Sequence, residues 1–203
     1  MTPIHPIEVE SYRILAGRVD LSGWPNGQRE VVARMIHATA DLGFATTARI
    51  GSEAVTRALD ALSQGAPVIV DAAMIAAGAP RVATTCLLAE VPDAPAGSTR
   101  SAAAIALAAQ RHPEGALWVI GNAPTALAEL LVLYDRGGVA PDAVIGIPVG
   151  FVGAAASKAA LWAGPLAARA ITNVGERGGS AVAAAALNAL HHLHHLHQGQ
   201  EPC

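Results

Sequence analysis

The chain has 203 residues, a length that suits one α/β domain with a substantial core. Residues of the apolar class make up 52% but aromatic residues only 3%, so the apolar mass is Ala, Val, Leu and Ile, which lets helices sit close to a sheet. A formal net charge of −3 with no basic stripe argues against nucleic acid, and no window offers the ~20 clean apolar residues of a membrane span.

Taken in chain order, Ile7 to about Asp20 reads as a short helix, and Trp24-Pro25-Asn26-Gly27 as a turn. From Gln28 to about Leu42, Val31, Val32, Met35 and Ile36 share one helical face. Ser52 to Ser63 reads as a third helix with Ser52 as its N-cap, closed by Gly65-Ala66-Pro67. The period then changes. Strands are expected at Val68 to Val70, Val82 to Leu88, Leu117 to Ile120, Ala143 to Ile147 and, weakly, Ala170 to Thr172. Helices are expected at about Ser101 to Gln110, Pro124 to Tyr134, Ala154 to Leu161 and Ser180 to Leu196. This alternation predicts an α/β fold, a mostly parallel sheet with helices on both faces, Rossmann-like but without a nucleotide fingerprint. The expected organisation is one domain spanning 1–203, with an N-terminal helical region over 1–65 and a His-rich tail over 191–203.

Charged residues are 14% of the chain, little to cover a monomer's surface. An oligomer or a large apolar ligand face accounts for that, and an Ala-rich composition accounts for it equally well. Cys86 lies in an apolar run and reads as a small buried hydrophobe; Cys203 closes a polar tail; no disulfide framework or C-x-x-C motif exists. The opening MTPIHPIEVE lacks a basic region followed by an apolar one, so a signal peptide is not expected and a cytoplasmic setting is.

Ligands of open α/β sheets bind beyond the carboxyl ends of the strands. Asp71, Gly121-Asn122, Pro148-Val149-Gly150 and Asn173-Val174-Gly175 all fall there. In GNAPTAL, Gly121 to Leu127, a glycine permits a tight turn and Pro124 suits the first helical position, so the motif reads as a helix start with N–H groups free to meet an anion. Asp71 is placed to orient a histidine, bind a ligand or cap the next helix. Thr99 or Ser101 suits an N-cap, and Arg100 beside it opposes the dipole preference and points to a ligand or a salt bridge. Arg177-Gly178-Gly179-Ser180 joins a cation, a Gly-rich turn and a helix start, a pattern shared by anion cradles and plain tight turns. Arg34 and His37, three apart, share a helical face; a histidine exchanges protons near neutrality and an arginine anchors acidic groups. His191, His192, His194, His195 and His197 have spacings that can bind Zn, Ni or Co, although an exposed tail with incidental metal affinity is the favoured reading and no metal site is expected. G-x-G-x-x-G, a Walker loop, H-E-x-x-H and G-x-S-x-G are all absent.

Several segments in series resemble the precorrin-8X methylmutase family of corrin-ring biosynthesis: RMIHATAD at Arg34 to Asp41, DAAMIAAGAPR at Asp71 to Arg81, TRSAAA at Thr99 to Ala104, GNAPTAL, IGIPVGFVGAAASK at Ile145 to Lys158 and RGGSAVAAAALNAL at Arg177 to Leu190. The resemblance implies a homodimeric α/β enzyme that moves a methyl group from ring carbon C-11 to C-12 of a tetrapyrrole, metal-free or cobalt-containing, without a cofactor. It implies that His37 is catalytic and that Arg34 and Ser11, the serine before aromatic Tyr12, contact substrate. The remaining expected substrate contacts are Thr39, Arg100, Ser101, Asn122, Thr125, Gly150, Lys158, Arg177 and Ser180. Where the family usually carries glutamates around Ser157-Lys158, this chain has Ala156 and Ala159; Glu176 replaces a common basic residue and Ala40 a usual glycine. A methyl shift between adjacent ring carbons is a suprafacial 1,5-sigmatropic step that an electron-poor ring favours, so His37 is expected to protonate a ring nitrogen as general acid. The competing expectations are a corrinoid carrier without turnover and a nucleotide-dependent oxidoreductase; the missing glycine fingerprint weighs against the latter.

Overall fold

The computed structural model describes residues 5–199. Cys203 and the end of the His-rich segment lie outside the described residues. The helices are α1 (Pro6–Arg18), α2 (Gln28–Thr39), α3 (Phe44–Thr47), α4 (Ala54–Ser63), α5 (Ala73–Gly78), α6 (Arg100–Arg111), α7 (Pro124–Asp135), α8 (Ala154–Ala163) and α9 (Ser180–His197); the strands are β1 (Ala48–Ile50), β2 (Val68–Val70), β3 (Leu117–Ile120), β4 (Ala143–Gly146) and β5 (Ala170–Asn173). The sheet order is β1-β5-β4-β3-β2. Strands β2 to β5 run parallel, and β1 pairs antiparallel with β5, with Ala48 opposite Asn173.

Buried on both faces, the central strands are apolar runs rather than alternating ones. Their side chains still alternate between two cores. Val68, Val70, Leu117, Val119, Ala143, Ile145 and Ile171 pack under α2, α4, α5 and α9. Ile69, Trp118, Ile120, Val144 and Ala170 pack under α6, α7 and α8. The long helix α9 is the spine of the first layer; ten of its residues are buried, six of them small Ala or Ser. Small residues allow its close seat on the sheet, and Gly121 allows it too. A Cβ on Gly121 would stand 2.5 Å from Ala183 Cβ and 3.1 Å from Ser180 Cα.

Four expectations need correction. Val82 to Leu88 is not a strand: only Thr85 pairs with the edge of β2, bridging Ile69, before the chain turns at Leu88 to Glu90. The apolar residues of this run, Val82 and Leu87, are buried as a loop covering the sheet edge. The N-terminal region is not wholly helical, because β1 adds the edge strand of the sheet. The histidines from His191 to His197 are not a separate tail; they form the last two turns of α9. The helix expected to start at Ser52 starts at Ala54, with no side-chain cap. Cys86 is half-buried against the first core, close to its expected role.

Helix α2 ends at Thr39 because Ala40 turns left-handed, with φ 54° and ψ 20°. It is the one described non-glycine residue with positive φ. Thr39 Oγ1 donates to Met35 O and accepts from Asp41 N, which closes the helix end. A side chain in this region costs about 1–2 kcal/mol that glycine does not incur. Ala40 is exposed, so replacement fills or empties no core space. Ala40→Gly is therefore expected to stabilise the fold by about 1 kcal/mol, seen as a melting temperature about 2–4 °C higher; an unchanged or lower midpoint would remove the strain argument.

Candidate active site

The parallel strands end at one edge of the sheet, and α2 ends near it. Asp41, two residues past α2, accepts from Arg177 Nη1 at 3.0 Å with both carboxylate oxygens, and Arg177 follows β5. In the last turn of α2 stands His37. Helix α1 lies against it. Ser11 Oγ meets His37 Nδ1 at 2.9 Å. Tyr12 stacks on the imidazole with ring centroids 4.8 Å apart and planes 9° from parallel. Arg34, on the same face, donates to Tyr12 Oη at 3.2 Å and pairs with Glu8. Helix α1 thus grips both functional side chains of α2 through residues at i, i+3 and i+4. A hydroxyl on Nδ1 leaves Nε2 as the nitrogen available for proton exchange. Beside Ser11, Pro6, Ile7, Glu10 and Ile14 line a shallow open cavity of about 460 Å³.

The edge also holds a buried acid. Asp71, 1% exposed, closes β2. Its carboxylate accepts N–H bonds from Gly121 at 3.0 Å, Asn122 at 3.0 Å and Ala123 at 2.7 Å. Burial pushes its pKa above the ordinary aspartate value, and the backbone donors pull against that. Asp71 thus anchors the turn that leads into α7 and does not cap the next helix α5. Within GNAPTAL the protein itself supplies an acceptor to the N–H groups of Gly121, Asn122 and Ala123, which precede the helix, while the start of α7 carries no side-chain cap. The side chains of Asn122 and Thr125 stay exposed, and Thr125 Oγ1 meets Thr99 Oγ1 at 2.8 Å.

The other expected contacts divide. Thr99 caps α6 by accepting from Ala102 N at 3.1 Å, and Ser101 is half-buried in the first turn. Arg100 meets neither an acid nor open solvent alone: its guanidinium donates to Val91 O at 2.7 Å and Leu88 O at 3.1 Å, tethering the loop before α6. Gly150 has φ 142°, and its N–H donates to Glu176 O, joining the loops after β4 and β5. Ser180 is buried at the start of α9. Around the edge, Phe151 is 92% and Val152 89% exposed, with Val149, Val174 and Met74 also exposed. Ala156 and Ala159 lie on the exposed side of α8.

Lys158 is 1% exposed and belongs to the scaffold of this edge. Its Nζ donates to Asn173 Oδ1 at 3.1 Å and to Arg177 O. Burial lowers its pKa from 10.5 to about 8, opposed by the nearby charge of Glu176. Below pH 8 both folded and unfolded chains hold the proton, and folding bears the full cost of burying it. Between pH 8 and 10.5 only the unfolded chain keeps it, so this residue's contribution to stability rises with pH. Compared with Lys158→Met in urea unfolding, the wild-type chain should gain about 2 kcal/mol between pH 7.5 and 10. A flat difference would show that the ammonium is not desolvated.

The sequence patterns do not single out Glu8, Asp41, the stacking of Tyr12 on His37 or the hold of Asp71 on the turn before α7. The only local signal was an aromatic residue after Ser11.

Fold and site together define an α/β protein in which His37 of α2 is held by Ser11 and Tyr12 of the neighbouring helix α1. A family model described as CbiC, precorrin-8X methylmutase, matches residues 6–193. The chain belongs to the precorrin-8X methylmutase family and is by that membership an isomerase. It is 39% identical over 186 residues to a precorrin-8X methylmutase of Pseudomonas aeruginosa, covering 87% of this chain and 89% of the relative. It is 34% identical over 160 residues to a cobalt-precorrin-8 methylmutase of Methanocaldococcus jannaschii, covering 76% and 74%. The crystal structure of a precorrin-8X methylmutase from Thermus thermophilus superposes with a TM-score of 0.83 at 36% identity, covering 97% of this chain and 98% of that one. No helix among the described residues is long and apolar enough to cross a membrane.

Proposed function

We propose that the chain converts precorrin-8X, or its cobalt analogue, by a methyl shift from ring C-11 to C-12, with His37 as general acid. The observation that carries this reading is the contact between Ser11 Oγ and His37 Nδ1. When the hydroxyl accepts from Nδ1–H, Nε2 is the atom that gives a proton to a ring nitrogen and takes it back. The methyl group migrates with its bonding pair while the ring carries that proton, so the protonation state of the enzyme is restored at the end of each turnover. Ser11 thereby acts as a positioning residue in addition to any contact with substrate.

The substrate is a flat macrocycle with several carboxylates. Exposed Phe151, Val152 and Val149 offer it an apolar face, and Arg177 and Arg34 offer it cations in exchange for Asp41 and Glu8. Thr39, Arg100, Ser101, Asn122, Thr125, Gly150 and Ser180 line or brace this edge. Lys158 contributes by holding the loop after β5. A second copy of the chain completes the site by covering the same apolar residues, consistent with a homodimer, and the reaction takes place in the cytoplasm without a bound cofactor.

Incubation with precorrin-8X, followed by the visible spectrum as ring conjugation changes, tests the reading directly. Binding without any spectral conversion would make the chain a carrier. Ser11→Ala should slow turnover about tenfold to a hundredfold with product affinity unchanged, because a hydrogen bond to a charged imidazolium is worth about 1.5–3 kcal/mol. Equal turnover in Ser11→Ala would separate Ser11 from the proton chemistry.

A further inference from the structure

The last two turns of α9 carry five histidines that the proposed isomerisation does not use. Two of them are drawn together. His191 and His195, one helical turn apart, meet edge to face with ring centroids 4.4 Å apart. Their Nε2 atoms stand 3.1 Å from each other. Two imidazole nitrogens bound to one first-row ion, each at about 2.0–2.1 Å, are roughly 2.9 Å apart for a right angle at the metal and roughly 3.3 Å apart for a tetrahedral one. The observed separation, that of a hydrogen bond shared between the two rings, lies between these limits, so a cation that replaces the shared proton meets two nitrogens at a chelating distance.

We propose that His191 and His195 form a chelate for one late first-row divalent cation, bound through both Nε2 atoms. Water fills the remaining positions, because the described residues contain no group of three or more His, Cys, Asp or Glu arranged around a metal. The other histidines of the segment have different surroundings. His194 Nδ1 meets Ser63 Oγ at 3.3 Å on α4, and His192 feels the charges of Arg34 and Glu8. Arg81 and His194 both act on His191 through charge, which weakens a cation there and favours the ions that bind imidazole most strongly. Two nitrogen ligands with open positions place Cu²⁺ first and Ni²⁺ ahead of Co²⁺. The site is separate from the one assigned to isomerisation and stands or falls independently of it.

The test uses the whole metal-free chain titrated with Cu²⁺ and then Ni²⁺ by calorimetry, with electron paramagnetic resonance of the Cu²⁺ form. The expected result is one tight ion per chain, nitrogen hyperfine structure from two imidazoles, and affinity at least tenfold lower in both His191→Gln and His195→Gln. His192→Gln and His197→Gln should bind as the wild type does. Both rings of the pair are partly exposed, and thermal melts without metal check that each variant keeps the fold. Unchanged affinity in either His191→Gln or His195→Gln overturns the chelate. So does a loss that follows His192 or His197 instead, which would mark a histidine-rich surface with adventitious binding only.

Discussion

His37→Ala should lose isomerase turnover by roughly 10²–10⁴-fold, the usual worth of a positioned general acid, while keeping its fold and its hold on the product. The side chain is half-buried on α2, and its removal takes away one hydrogen bond to Ser11 and one stacked contact with Tyr12. Tyr12 packs at the margin of the first core, but Ser11 and His37 are not among the residues of either core. In the proposed reading, binding rests instead on the apolar residues and cations of the carboxyl edge, none of which depends on the imidazole. Turnover from the spectral change and product affinity from fluorescence or calorimetry should therefore separate in this variant. Full turnover in His37→Ala would reassign the proton chemistry to another group, and loss of fold and binding together would make His37 structural. The comparison with Ser11→Ala sharpens the outcome. A serine that only touches substrate would weaken binding, whereas one that orients Nε2 slows the chemical step.

Asp71→Ala should be the most damaging single change to stability among the polar residues of this edge. It leaves the N–H groups of Gly121, Asn122 and Ala123 without their acceptor in a site closed to solvent on the sheet side. A buried donor left unpaired costs about 1–3 kcal/mol, and the start of α7 loses a negative charge at its positive end. A loss of about 3 kcal/mol or more is expected, read as a urea midpoint shift and a melting temperature roughly 10 °C lower. Asp71→Asn should fall between the two, because one oxygen still accepts but the amide nitrogen faces donors. Faster amide exchange at 121–123 would localise the effect. A variant as stable as wild type would mean that water replaces the carboxylate and that GNAPTAL is open to an external anion after all.

The departures of this chain from the usual family pattern fall where the structure can absorb them. Ala156 and Ala159 face solvent on α8, so lost glutamates leave no buried partner. Glu176 is exposed, and its charge helps keep the buried Lys158 protonated. Ala40 is different: the backbone there is left-handed, and the side chain bears a cost that the usual glycine avoids.

Much of the architecture was legible because it is local. The runs Val68 to Val70, Leu117 to Ile120 and Ala143 to Gly146 are short and apolar on every residue, the mark of strands covered on both faces. The helices between them show 3.6-residue periodicity, and Pro124 marks the start of α7. The pairing of Arg34 with His37 on one face also follows from spacing alone. Where expectation and structure part, the cause is distance along the chain. Strand β1 is three residues long with an arginine at its centre, and only pairing with β5, more than 120 positions later, makes it a strand. The run from Val82 to Leu88 has the composition of a strand, yet one residue pairs, because the chain turns away at the sheet edge. GNAPTAL has every local feature of an open anion site, and a carboxylate 50 residues earlier takes the N–H groups of its first three residues. Ser11 and His37 are 26 positions apart, and nothing in either helix says which nitrogen the hydroxyl will hold. The sequence by itself determined most of the element types and the family. Tertiary structure decided which groups are already satisfied by the protein, since hydrogen bonding between buried groups depends on contacts that no local period encodes.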